Sequence, residues 1–135
     1  MNTEQNAIEE QVRAIVEQHP EIQLAVLFGS AVRGRLRPDS DLDVGVAAQI
    51  PLSAIQRLTL MDELALTSGR PVDLIDLTSA SPPLLRQILT QGSVVVKKDP
   101  GLYAALLRKL WYDQADLMPG YRSILRRRRK RFAHG

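Results

Sequence analysis

The stretch Phe28–Val44, FGSAVRGRLRPDSDLDV, sets a Gly-Ser pair ten residues ahead of two aspartates, Asp41 and Asp43, that stand one residue apart. On a strand, alternation points Asp41 and Asp43 the same way and sends Leu42, Val44 and Val46 into the core. Two carboxylates so placed repel each other unless a cation lies between them. Oxygen ligands of this kind suit Mg²⁺, which is typically held by one or two carboxylates together with substrate phosphates. Gly29 lets the backbone approach a ligand closely. The N–H groups after it, with the Ser30 hydroxyl, can hold phosphate oxygens where a short helix begins. Arg33, one turn on, adds a charge-assisted contact. The plain alternative is a turn between two strands with solvated acids. A third carboxylate must come from a neighbouring strand, and VDLIDL offers Asp73 and Asp76. Their odd separation puts them on opposite faces. Asp73, bracketed by Val72 and Leu74, is the better candidate, and Asp76 reads as a solvated strand end.

The elements that must position these groups follow from periodicity. Ile8, Val12, Ile15 and Val16 recur at helical spacing, and His19-Pro20 ends that helix. Ile22–Phe28 is a β-rich apolar run, hence a buried strand. Asp41–Ala47 alternates and predicts a second strand. Ser53 is a candidate N-cap for a helix carrying Ile55, Leu58, Met61, Leu64 and Ala65, stopped near Gly69. Val72–Leu77 predicts a third strand, Pro83–Gln91 a short helix, and Ser93–Lys97 an edge strand. Asp99-Pro100 caps a long helix with the stripe Leu102, Leu106, Leu107, Leu110, Trp111, Leu117 and Met118. After Pro119-Gly120, Tyr121, Ile124, Leu125 and Phe132 suggest a last basic helix. The fold class expected is α/β of the α+β-like kind, a small mixed β-sheet with helices packed on one face.

A chain of 135 residues is most simply one domain and can bury roughly two-thirds of its unfolded surface. It has no cysteine, which rules out disulfides and zinc–thiolate sites and fits a reducing compartment. The polar, acidic start MNTEQNAIEEQ is no signal or transit peptide, and no apolar run approaches the ~20 residues of a membrane span. These features point to the cytoplasm. The net charge of +3 hides an asymmetry: seven of the 18 Lys and Arg residues lie in 120–135, which has no acidic residue, leaving 11 against 15 acidic residues before it. An acidic body thus ends in a basic run, Arg126–Arg131, suited to nucleic acid or an acidic partner.

Gly29-Ser30, ten residues, then Asp41-Leu42-Asp43 resembles the GSx10DxD signature of the DNA polymerase β-like nucleotidyltransferases, and Asp73 matches their third carboxylate. In length, and in the wording Ala31-Val32-Arg33-Gly34 and Pro38-Asp39-Ser40-Asp41, the chain is similar to the minimal nucleotidyltransferases, in particular MntA-type antitoxins. The resemblance covers about residues 5–118 in element order, with diagnostic identity confined to 28–46 and 72–75. It implies a minimal nucleotidyltransferase domain over 1–118 and a basic C-terminal helix or tail, 119–135, within the same domain. It implies that Gly29 and Ser30 hold the β- and γ-phosphates of ATP, and Arg33 is read from its position as a further nucleotide contact. Asp41 and Asp43 then bind two Mg²⁺ ions, and Asp73 completes one metal and helps deprotonate the attacking hydroxyl. The partner it implies is a HEPN-domain, HepT-type toxin RNase, silenced by transfer of AMP to a tyrosine. The competing expectations are an antitoxin that acts by covering the toxin, and nucleotide transfer to RNA or to a small molecule such as an aminoglycoside.

Three further signals are weighed as bland. Arg129 to His134 fits the Arg-x4-His spacing of HEPN ribonucleases, but that domain is a helical bundle as long as this whole chain, so the match is coincidence. His19 reads as a cap or surface residue. The Leu102–Met118 stripe reads as core, although Trp111 and Tyr112 on adjacent faces leave room for a partner contact.

Overall fold

A computed structural model describes residues 3–34 and 37–116. The elements in chain order are α1 (Thr3–Val16), β1 (Ile22–Phe28), a 3-10 turn (Gly29–Ala31), β2 (Leu42–Ala48), α2 (Ala54–Ser68), β3 (Val72–Asp76), α3 (Pro82–Gln91), β4 (Ser93–Lys97) and α4 (Pro100–Asp116). The strands form one four-stranded sheet in the order β3-β2-β1-β4. β1 pairs antiparallel with β2 and with β4, whereas β2 and β3 are parallel. The mixed sheet therefore has the expected composition, with β4 on one edge. A parallel neighbour requires a crossover, and α2 supplies it between β2 and β3.

The helices cover both faces of the sheet rather than one. Leu27, Val44, Val46 and Leu74 pack on one face with Ile8, Val12 and Val16 of α1 and Leu60 and Leu64 of α2. Leu24, Val26 and Phe28 pack on the other with Leu85, Ile88 and Leu89 of α3 and Leu106 and Leu110 of α4. The reason lies in the central strands. Leu24, Ala25, Val26 and Leu27 are each 0% exposed, so β1 is buried on both sides and needs a layer on each. Each such Leu or Val contributes about 1.5–3 kcal/mol relative to an exposed one.

Local signals set the helix ends. Gln56 N donates to Ser53 Oγ and Ser53 N to the Gln56 side chain, at 3.1 and 2.8 Å, which makes a reciprocal capping box. Gly69 closes α2 with φ 71°, the left-handed conformation glycine reaches without penalty. Gly101 N donates to Asp99 Oδ1 at 2.9 Å, capping α4. The buried stripe of α2 is Leu60 and Leu64, while the expected Ile55 and Leu58 are 76% and 59% exposed. Period alone could not choose between two apolar stripes on one helix. α4 likewise buries Leu106 and Leu110 and leaves Trp111 exposed.

His19 is neither cap nor free surface residue. Its Nε2 lies 2.6 Å from Glu63 Oε1 and its Nδ1 3.4 Å from Glu21 Oε2, with the ring only 14% exposed. It ties the α1–β1 loop to α2. Among the described residues no helix is long and apolar enough to cross a membrane. The expected basic helix with Arg126–Arg131, and the end of the α4 stripe at Leu117 and Met118, lie outside the described residues.

Gly92 sets how closely α3 approaches β1. A Cβ there would lie 2.5 Å from the Ile88 carbonyl oxygen, 2.6 Å from Val26 Cγ1 and 3.0 Å from the Leu27 carbonyl oxygen. Backbone atoms cannot swing aside as a side-chain tip can. Gly92→Ala should therefore cost about 2 kcal/mol or more through overpacking. The measurement is the urea midpoint, which should fall with the slope m unchanged.

Candidate active site

β1 ends at Phe28 in extended backbone, φ −143° and ψ −174°, and Gly29 then turns the chain with φ +75°. The Gly29 carbonyl accepts from Val32 N at 3.2 Å and Arg33 N at 3.3 Å, closing the 3-10 turn. Glycine is required here twice over. The left-handed φ disfavours a side chain, and a Cβ at Gly29 would sit 2.1 Å from Asp43 Oδ2. The corner and the aspartate are thus in direct apposition.

Strand register makes that apposition. Phe28 pairs with Asp43 across β1–β2, and Asp43 pairs with Asp73 across the parallel β2–β3 ladder. Neighbouring strands run about 4.8 Å apart, so the Asp43 and Asp73 side chains rise beside each other on one face. Asp41 lies one residue outside β2 and is exposed, as are Asp73 and Arg33, whereas Asp43 and Ser30 are half-buried. Asp76 is on the other face, opposite Val46 in register. Its Oδ1 accepts from Thr78 N and Thr78 Oγ1 at 3.0 and 2.7 Å, a turn at the strand end. The structure thus brings Gly29, Asp41, Asp43 and Asp73 together, leaves Asp76 apart, and sets Ser30 and Arg33 on the turn beside them.

A cleft next to the corner is lined by Phe28, Gly29, Val32, Arg33, Gln87 and Gln91. Gln87 and Gln91 were not among the expected site residues. Their signal was an i, i+4 polar pair on α3, on a surface distinct from Leu85, Ile88 and Leu89, but nothing local places α3 over the end of β1.

The electrostatics are those of crowded anions. Partial burial raises the Asp43 pKa above its ordinary value, the charges of Asp73 and then Asp41 raise it further, and Arg33 opposes them. Among the described residues none of the three carboxylates is engaged by a hydrogen bond or ion pair, so their oxygens are free to ligate. Also among the described residues, no group of three or more His, Cys, Asp or Glu side chains is arranged to hold a metal ion by itself. This donor set fits Mg²⁺ as it is usually held, by a few carboxylates with phosphate oxygens completing the octahedron. A divalent cation at these oxygens would also relieve the repulsion that lifts Asp43.

The chain is similar to known nucleotidyltransferases. The family description "Polymerase beta, Nucleotidyltransferase" matches residues 10–101. The protein adenylyltransferase MntA of Shewanella oneidensis is 37% identical over 95 residues, 69% of this chain and 68% of that protein. A crystal structure of a toxin–antitoxin with AMP-PNP contains a chain similar at TM-score 0.67 and 31% identity, covering 87% of this chain and 98% of that one. A structure of tri-AMPylated Shewanella oneidensis HEPN toxin in complex with MNT antitoxin matches at TM-score 0.63 and 30% identity, over 90% of this chain and 98% of that one. This chain belongs to the polymerase β nucleotidyltransferase family.

Two outcomes follow from the crowding. The folded-state pKa of Asp43 is above its unfolded one, so the folded protein binds more protons between the two values. Stability from this group is present below the ordinary value of 3.8 and is lost as pH rises through the raised one. Asp43→Asn should therefore raise the thermal midpoint of the metal-free protein at pH 7 and flatten its decline with pH in the mildly acidic range. Gly29→Ala should destabilise by about 2 kcal/mol or more, combining left-handed strain with the collision at Asp43. Thermal melts of Asp43→Asn across pH and a denaturant titration of Gly29→Ala check these signs.

Proposed function

We propose that this chain is the antitoxin of a HEPN toxin–antitoxin pair and silences its toxin as an Mg²⁺-dependent protein adenylyltransferase, moving AMP from ATP to a toxin tyrosine. The observation that carries the reading is the junction of a left-handed glycine corner with Asp43, itself in register with Asp73. Support for the acceptor comes from the relatives, one a protein adenylyltransferase and another an antitoxin in complex with an AMPylated HEPN toxin.

In this reading the triphosphate lies along the Gly29 corner. The backbone N–H groups of the turn and the Ser30 hydroxyl donate to phosphate oxygens, and exposed Arg33 adds its charge. Asp41, Asp43 and Asp73 would hold two Mg²⁺ ions. Bound there, the ions would stabilise negative charge on the attacking and leaving oxygens of an in-line displacement. The tyrosine oxygen forms a bond to the α-phosphorus as the bridging P–O bond to the β-phosphate breaks and pyrophosphate leaves. The phenolic proton passes to Asp73, an exposed carboxylate beside Asp43 in the sheet. Gln87 and Gln91 flank the cleft and serve as donors or acceptors to the nucleotide. The reaction is cytoplasmic, in keeping with a chain that has no cysteine.

The experiment is to incubate the purified protein with α-labelled ATP, Mg²⁺ and the HEPN toxin encoded beside it. Label should move to a toxin tyrosine. Asp43→Asn should cut the transfer at least about 100-fold, because metal stabilisation of transition-state charge is worth several kcal/mol and each 1.36 kcal/mol is tenfold. Full labelling by that variant would overturn the assignment. Full protection of toxin-expressing cells by the same variant would show that neutralisation proceeds by binding instead.

A further inference from the structure

Asp41 precedes β2 and lies outside the strand ladder, so something other than sheet pairing must set where its carboxylate sits. The two peptide groups that flank its Cα are both held, and both from the entry to β3. On one side, Leu42 N donates to the Pro71 carbonyl at 2.8 Å. On the other, Arg70 Nη1 donates to the Ser40 carbonyl at 3.3 Å. The same nitrogen donates to the Arg37 carbonyl. That carbonyl also accepts from Ser40 N at 3.0 Å, while Arg37 N donates to Ser40 Oγ at 2.8 Å. The guanidinium therefore plugs the inside of the turn 37–40 that delivers Asp41.

Arg70 is placed for this work by more than the turn. Its side chain is only 9% exposed, and its Nη2 reaches Glu4 Oε2 of α1 at 3.5 Å. A planar fork can bond two carbonyls and a carboxylate at once, whereas an ammonium is a compact point charge without that geometry. Burial of a cation is costly unless its hydrogen bonds are made, so a partly buried arginine spent on two loop carbonyls is a local restraint.

We infer that Arg70 is a positioning residue for the metal-binding edge of the site: it fixes the turn 37–40 and, with the Pro71 carbonyl, sets the backbone on both sides of Asp41. It touches neither nucleotide nor acceptor. The inference rests on the reading of Asp41 as a metal ligand given above, and it adds to that reading the residue that holds the ligand. Of the three aspartates, Asp43 and Asp73 take their places from β-pairing. Asp41 takes its place from residues 70 and 71.

Two variants, Arg70→Lys and Arg70→Ala, test it with two readouts. The first is amide hydrogen exchange of the metal-free protein. Exchange at Ser40 should quicken about tenfold in both variants, while amides of β1 such as Leu27 keep their protection. The second is Mn²⁺ binding in the presence of a non-hydrolysable ATP analogue. Affinity should fall about 10-fold or more, the usual cost of losing a group that orients a ligand, with KM for ATP changed less than kcat. Unchanged exchange at Ser40, or a loss of protection spread equally through β1, would overturn the positioning role. So would unchanged Mn²⁺ affinity. If the unaltered protein took up no Mn²⁺ with the analogue, the nucleotidyl-transfer reading would fail instead, and exchange at Ser40 alone would still decide whether Arg70 holds the turn.

Discussion

The contact that organises this molecule is the one between a missing side chain and a carboxylate. Asp43 Oδ2 occupies the space in which any other residue at position 29 would carry its Cβ. For that contact to exist, β1 must end at Phe28, β2 must pair with it in a register that sets Phe28 opposite Asp43, and the chain between must return to the same end of the sheet. Sliding β2 by one residue would turn Asp43 into the face that holds Leu27 and Val44. The apolar pattern that forbids this slip is therefore also what aims the acidic group at the glycine corner.

The core and the site make opposite demands on the same strand. Val44 and Val46 stabilise the sheet by burial, while Asp43, between Leu42 and Val44, sits among charges of its own sign. A fold can carry such a liability only if its hydrophobic layers exceed what one carboxylate cluster costs. Here a sheet covered on both faces supplies them. The double layer also accounts for the near absence of polar residues in β1, where only Gln23 departs from apolar character.

Much of this arrangement was legible in the residues. β1, β4 and the Ser53 and Gly69 ends of α2 were readable because each rests on a local rule: an unbroken apolar run, a capping box, a left-handed stop. The parity of their spacing put Asp73 and Asp76 on opposite faces, and its place between Val72 and Leu74 made Asp73 the candidate; the register bears out the separation. What could not be read depends on distance along the chain. α2 carries apolar residues on two faces, and only α1 and β3 decide that Leu60 and Leu64 go inward while Ile55 and Leu58 stay out. His19 looked incidental because Glu63, its partner, lies far along the sequence. Gln87 and Gln91 carried only the mark of an i, i+4 polar pair and Arg70 none, since their importance comes from which loop or corner they meet in three dimensions.

The parallel pairing of β2 with β3 has a consequence in time. Asp43 and Asp73 are neighbours in space, yet the chain between them runs through the whole of α2 and packs that helix on the sheet before returning. Pairings that close so long a loop form late, after local helices and hairpins. The hairpin of β1 and β2 can bring Gly29 to Asp43 early, but the third carboxylate arrives only when the crossover has docked. A chain whose crossover has not yet docked therefore has Asp43 at the glycine corner but no Asp73 beside it.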